Sequence, residues 1–139
     1  MIITRTPFRI SFAGGGSDIS SYYEKFGGAV VSTTINKYVY LSMLQLFFKD
    51  KYFLKYSQTE HTNSLNGIQH NIIREVFRMY GIRGVDFNSS ADVPSGTGLA
   101  SSSAFTAGLI NLCNVYNRQY CGKECIAEQT CDIEINRLG

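Results

Sequence analysis

Asp92-Val93-Pro94-Ser95-Gly96-Thr97-Gly98-Leu99-Ala100-Ser101-Ser102-Ser103-Ala104 is a run of small residues that leads directly into an apolar helical pattern. Before it, Gly84-Val85-Asp86-Phe87-Asn88-Ser89 reads as a short strand. After it, Phe105, Gly108, Leu109, Leu112, Cys113 and Tyr116 recur at helical spacing. The order strand, glycine loop, helix suits an anion. First-turn amides of a helix lack intrahelical acceptors and carry the positive end of the helix dipole. Gly96 and Gly98 permit positive φ and close backbone approach, and Pro94 fixes the entry. The serine hydroxyls can cap amides, donate to phosphate oxygens or bind a hard cation. The same residues also fit an ordinary glycine turn before a serine-capped helix, and both readings stand on composition alone. Two other phosphate loops are excluded. Gly122-Lys123 is followed by Glu124 with no upstream glycine, and neither Gly96-Thr97-Gly98 nor Gly14-Gly15-Gly16 continues to a third glycine at the required spacing.

The pattern Pro-x-x-x-Gly-Leu-x-Ser-Ser, met here as Pro94, Gly98, Leu99, Ser101 and Ser102, resembles the ATP-binding motif of the GHMP kinases. Thr6-Pro7-Phe8-Arg9-Ile10-Ser11-Phe12-Ala13-Gly14-Gly15-Gly16-Ser17-Asp18 is similar to the N-terminal motif of that family, in the form its sugar kinase branch uses. Tyr56-Ser57-Gln58-Thr59-Glu60 and His70-Asn71-Ile72-Ile73-Arg74-Glu75 look like segments of heptose 7-phosphate kinases within that branch. The resemblance covers essentially the whole chain. It implies a ribosomal protein S5 domain 2-like α+β fold, a mostly antiparallel sheet with helices on one side. Residues 1–139 then form the N-terminal, ATP-binding domain, with the C-terminal half absent.

By that resemblance the activity is ATP- and Mg²⁺-dependent phosphorylation of a sugar, at the anomeric hydroxyl of D-glycero-D-manno-heptose 7-phosphate. A fucokinase-like sugar 1-kinase is the alternative enzyme, and a non-catalytic nucleotide- or sugar-binding half-domain the alternative from another class. Pro94, Gly96, Thr97, Gly98, Leu99, Ala100, Ser101, Ser102 and Ser103 would hold the ATP phosphates, and Ser102 with Glu134 the metal. Asp132 and Glu128 are weaker carboxylate candidates. Asp18, with Gly16 and Ser17, would bind sugar hydroxyls, and Arg9 would stabilise the transferring charge. Arg5, Lys37 and Arg74 are candidates to meet a sugar phosphate. Ala100 stands where many relatives carry glycine. The catalytic aspartate of the family is expected beyond Gly139, so the chain alone should be inactive or nearly so.

Elementary physical chemistry bounds the rest. The 139 residues suit one domain. Thirteen basic against eleven acidic residues, without long runs of either sign, argue against a nucleic-acid surface. No apolar stretch is long enough for a spanning helix, and Met1-Ile2-Ile3 is too short for a secretory signal, which predicts a soluble, cytoplasmic protein with no membrane partner. Cys113, Cys121, Cys125 and Cys131 contain no C-x-x-C pair, so zinc is not expected. Apolar surface left by a missing half would predict self-association into a homo-oligomer.

Along the chain, residues 2–5 and 8–13 read as extended with a break at Pro7. Ser17 to Phe26 reads as a helix with Asp18 as cap and Ser21-x-x-Glu24 as capping box. Ala29 to Phe48 reads as two strands turning at Asn36-Lys37, Tyr52 to Ser57 as another strand, and 58–67 as a loop. Helices are expected over Ile68 to Tyr80, after the glycine loop, and over Lys123 to Leu138.

Overall fold

The structure, a computed structural model, describes residues 1–94 and 96–138; Ser95 of the glycine loop and Gly139 lie outside the described residues. Strands β1 (Ile2–Ala13), β2 (Val31–Gln45), β3 (Tyr52–Lys55), β4 (Thr59–Thr62) and β5 (Val85–Ala91) form one sheet in the order β1-β2-β5-β3-β4. Every neighbouring pair is antiparallel except β3 with β5. Helices α1 (Ser20–Phe26), α2 (Asn71–Tyr80), α3 (Ser101–Tyr116) and α4 (Lys123–Cys131) are followed by a π-helical turn over Asp132–Arg137. The α+β class and the mostly antiparallel sheet are as expected.

Alternation explains which face is covered. Val39, Leu41 and Met43 of β2, Val85 and Phe87 of β5, and Tyr52 and Leu54 of β3 are buried at period two. They meet Ile73, Val76 and Phe77 of α2 and Leu109, Leu112 and Cys113 of α3 in one core. Helix α3 comes very close to the sheet because position 108 has no side chain. A Cβ there would stand 2.7 Å from the Thr6 hydroxyl and 3.2 Å from a Leu41 methyl. The buried Thr4 hydroxyl donates to the Gly108 carbonyl at 3.1 Å, which fixes α3 along β1.

Four local expectations are corrected. Pro7 does not break the first strand. β1 is an edge strand, where a missing N–H is tolerated, and the register shifts between Pro7 and Arg9 in a bulge that buries Phe8. Asn36-Lys37 is no hairpin turn. These residues lie in the same irregularity, opposite Phe8, and β2 runs through them without a reversal. Residues 59–62 form a strand, paired with β3, instead of part of a loop. Asp18 and Ser21-x-x-Glu24 do not cap α1: the helix starts at Ser20, its N-cap is Ile19, and no side-chain cap bond forms. Ser21 lies inside the helix, where it lacks the extended backbone of a cap, and Asp18 spends one carboxylate oxygen on the Gly16 N–H at 3.0 Å.

Candidate functional site

The glycine loop connects β5 to α3, and its far end touches β1: the Arg9 N–H donates to the Leu99 carbonyl at 3.2 Å. The two glycine-bearing segments singled out in the sequence therefore meet in space. Gly96 and Gly98 both adopt positive φ, at 80° and 72°. Thr97 ties the loop to itself through a 3.3 Å bond from its hydroxyl to the Pro94 carbonyl. Ala100 sits at φ 56° and ψ 42°, the left-handed conformation that costs an L-residue about 1–2 kcal/mol. Helix α3 begins from this strained cap with no side-chain cap bond. Its first amides are left to face the loop, as a phosphate cradle requires.

Two serines of this first turn bond a carboxylate from further along the chain. The Ser102 hydroxyl donates to Glu134 Oε1 at 2.7 Å, and the Ser103 hydroxyl to Glu134 Oε2 at 2.8 Å. A third hydroxyl, that of buried Thr106, lies 3.1 Å from Oε1 and also bonds the Ser102 carbonyl at 3.0 Å. Glu134 is thus fixed against the first turn of α3 by three hydroxyls. The sequence expectation paired Ser102 with Glu134, placed Ser103 with the phosphate loop or as a packing or capping residue, and gave Thr106 no role.

Glu134 reaches the serines from an unusual backbone. The expected continuous helix over Lys123 to Leu138 gives way after Cys131 to the π turn, closed by a 3.1 Å bond from the Leu138 N–H to the Ile133 carbonyl. Single π turns inside helices often mark functional positions. This one buries Ile133 in the core while Ile135 stays 69% exposed, and it leaves Glu134 half-buried. Arg137 braces the turn, with bonds of 2.8 Å to Asp132 and 3.0 Å to Glu75 of α2. Asp132 is therefore an ion-pair partner, and bonds from Asn136 and Arg137 hold its carboxyl below the ordinary range. The Glu75 carboxyl is held low as well, first by Arg137 and then by Arg78.

A cleft of about 280 Å³ adjoins the start of α3, with Ser101 and Ser102 at its edge and Phe8, Val39, Tyr56, His70 and Phe105 among its walls. The His70 ring packs against Tyr56 at 4.8 Å and Phe105 at 5.3 Å. Beneath them Glu60 accepts bonds from the Tyr56 hydroxyl and from the Gln69 and His70 N–H groups, the last two at 2.7 and 3.2 Å. Burial pushes the Glu60 carboxyl up, but those bonds outweigh it and leave it below its ordinary value. Burial, then the bond and charge of Glu60, push Tyr56 up to about 12. This aromatic wall was missed as a site. Its segments drew notice only through resemblance.

His70 also caps α2, its Nδ1 accepting the Ile73 N–H at 3.4 Å, and burial lowers its pKa more than the Glu60 charge restores it. The sign follows directly. With a folded pKa below the unfolded value of 6.5, the stability due to neutral His70 is complete above that pH. It declines as pH falls below 6.5, because only the unfolded chain takes up the proton. Urea midpoints measured at about pH 7.5 and 5.5 should drop on acidification, and His70→Asn, which keeps a capping acceptor without titrating in this range, should flatten the change. An unchanged drop in that variant would remove His70 as the cause.

The other predicted side chains lie on the β1 side. Asp18 and Ser17 line a separate cleft of about 400 Å³ with Tyr23, Gly28, Ala29 and Val30. The Ser17 hydroxyl lies 2.7 Å from the Gly14 carbonyl and 2.9 Å from that of Ala29, and it accepts the Ala29 N–H at 3.2 Å, so it closes the loop between β1 and β2. Arg9 contacts the Ser11 hydroxyl, and no carboxylate among the described residues lies within ion-pair distance of it. Arg74 is spent locally, on the Ile68 carbonyl and Asn71, and Arg5 stacks over Tyr38 at 4.5 Å. No helix among the described residues is long and apolar enough to cross a membrane, and none of their His, Cys, Asp and Glu side chains cluster in threes.

Residues 66–139 match the family model described as GHMP kinases N terminal domain. The D-glycero-alpha-D-manno-heptose 7-phosphate kinase of Campylobacter jejuni is 29% identical over 150 residues, which take in 99% of this chain and 44% of that relative. A D-glycero-D-manno-heptose 1-phosphate kinase from Bacteriodes thetaiotaomicron shares the fold with a TM-score of 0.87 at 22% identity, over 100% of this chain and 49% of its own. The mevalonate kinase of Methanococcus jannaschii is also similar, with a TM-score of 0.74 at 20% identity, over 97% of this chain and 47% of its own. The chain spans about half the length of these relatives.

Proposed function

Because the chain belongs to the GHMP kinases, we propose that residues 1–139 are the ATP-binding domain of a sugar kinase, with D-glycero-D-manno-heptose 7-phosphate as acceptor at its anomeric hydroxyl. The observation that carries this reading is the Glu134 carboxylate fastened to the first turn of α3, beside uncapped helix amides and an aromatic cleft. The similarity to the Campylobacter heptose kinase favours the acceptor. The rest of such a kinase would supply the proton acceptor for the sugar hydroxyl.

The donor set suits Mg²⁺. It consists of hard oxygens, one of them anionic, and Ser102 Oγ and Glu134 Oε1 are 2.7 Å apart. Adjacent ligands of an octahedral Mg²⁺ lie ~2.9 Å apart, and such sites use one or two carboxylates together with substrate phosphates. When bound there, Mg²⁺ would neutralise phosphate charge during transfer.

The residues then divide the work. The amides from Gly96 to Ser103 bind and orient the ATP phosphates, and the Tyr56, His70 and Phe105 wall receives the base by stacking. Ser103 and Thr106 hold the Glu134 carboxylate in place. Arg9, tied through its backbone to Leu99 and without a carboxylate partner among the described residues, offers its guanidinium toward charge that builds on the transferring phosphoryl group. Asp18, one oxygen of which remains free for ligand, accepts from sugar hydroxyls in its own cleft. The test is ATP consumption by the full-length protein with heptose 7-phosphate and with fucose. Turnover with the heptose supports the reading, turnover with fucose alone reassigns the acceptor, and none with either leaves a nucleotide-binding domain.

A further inference from the structure

A third cleft, of about 450 Å³, lies at the opposite end of β5 from the glycine loop. It is framed by two turns, one joining β2 to β3 and the other joining α2 to β5. The turns are locked backbone to backbone. The Leu46 N–H donates to the Gly84 carbonyl at 2.7 Å, and Gly84, at φ 62°, is so close that a Cβ would stand 2.5 Å from the Lys49 Cα and 2.8 Å from the Phe48 carbonyl oxygen. No other residue fits there. Lys49 on one turn and Arg83 on the other both line the cleft.

Neither cation has a carboxylate within ion-pair distance among the described residues, although Asp50 shares the rim. Arg78, a third cation at this cleft, is already paired with Glu75 at 2.6 Å. Burial pushes the Tyr52 phenol up, and the Arg83 charge opposes that rise. The floor is apolar: Tyr52, Phe77 and Ile82 are all buried, and the Tyr52 hydroxyl is satisfied by the Ile82 carbonyl at 3.2 Å. Ser64 and Asn63 supply polar groups on the far rim. A dianion in the cleft could meet both cations at once.

We propose that this cleft binds a small dianion, a phosphate ester or a dicarboxylate, between Lys49 and Arg83. The proposal is independent of the kinase reading, since it shares no residue with the glycine loop, Glu134 or Asp18. Lys49 and Arg83 are exposed side chains, so removing them leaves the core intact.

Amide chemical shifts of the protein, titrated at constant ionic strength with inorganic phosphate, succinate and chloride in turn, test it. Saturable shifts at Phe48 to Asp50 and Ile82 to Gly84 are expected with phosphate or succinate and not with chloride. Lys49→Ala combined with Arg83→Ala should weaken them by roughly tenfold or more. Response to phosphate alone assigns a phosphate ester, and response to both assigns a dianion site without further discrimination. Shifts confined to Gly96 through Ser103 would report the glycine loop and overturn the proposal. So would shifts that persist in the double variant or that chloride reproduces.

Discussion

Glu134→Gln in the full-length protein should lower kcat by about two to three orders of magnitude, the usual cost of removing one group that stabilises charge in a transition state. Glutamine keeps the size and, with its oxygen in the Oε1 position, the acceptor that Ser102 and Thr106 address, while its NH2 in the Oε2 position can donate to the Ser103 hydroxyl oxygen, so the turn is expected to stay folded. What is lost is the negative charge. The variant should therefore need far more Mg²⁺ for half-maximal rate while its melting temperature moves little. Thr106→Val separates positioning from ligation. It removes one of the two hydroxyls on Oε1 but leaves the carboxylate, so its rate should fall by less than that of Glu134→Gln and recover with Thr106→Ser. Wild-type rate and Mg²⁺ dependence in Glu134→Gln would sink the assignment of Glu134 to the metal.

Phe77→Ala should have the largest effect on stability, about 3–5 kcal/mol. Its ring is fully buried, 6.4 Å from Tyr52 and 6.1 Å from Phe87, the latter edge to face. It is the residue through which α2 grips β3 and β5 together. A domain of this size has only about 5–15 kcal/mol in all, so the loss would leave it partly unfolded at moderate temperature. Phe77→Leu fills most of the volume and should cost far less. Urea denaturation measures both. A loss below about 1 kcal/mol for the alanine variant would mean that the surrounding side chains collapse into the space.

The parts of the fold governed by short-range rules were legible in the residues themselves. The strand, glycine loop and helix around Pro94 to Tyr116 announced themselves because helical period begins where the small residues end. Helix α2 stops after Tyr80 as its period predicts, and Gly81 takes the left-handed conformation that favours glycine as a helix stop. The failures occurred where tertiary pairing outweighs local preference. Asn36-Lys37 has the composition of a turn, yet the bulge opposite Phe8 absorbs it, and that bulge depends on a partner strand far away in the chain. Residues 59–62 look polar and loop-like because they pair on one side only, at the edge of the sheet. In the site, the motif serines and Glu134 were named from resemblance. Thr106 was invisible because a threonine that bonds a carbonyl four residues back is common in helices, and only the fold brings Glu134 to it.

The strand order also sets the sequence of assembly. β1 with β2 and β3 with β4 are neighbours both in the chain and in the sheet. The short β3–β4 connection lets that pair zip on the microsecond scale of a hairpin, while β1 and β2 must first close the loop that carries α1. β5 comes after both, and it is the one strand that touches each of them. Its parallel pairing with β3 spans residues 56–84, an entropic delay that no local contact offsets. During synthesis the two ribbons emerge first, each with an open edge awaiting the same strand, and the glycine loop has no anchored end until that strand docks. Completion of the sheet therefore also positions the loop: the keystone that closes the sheet carries the loop into place.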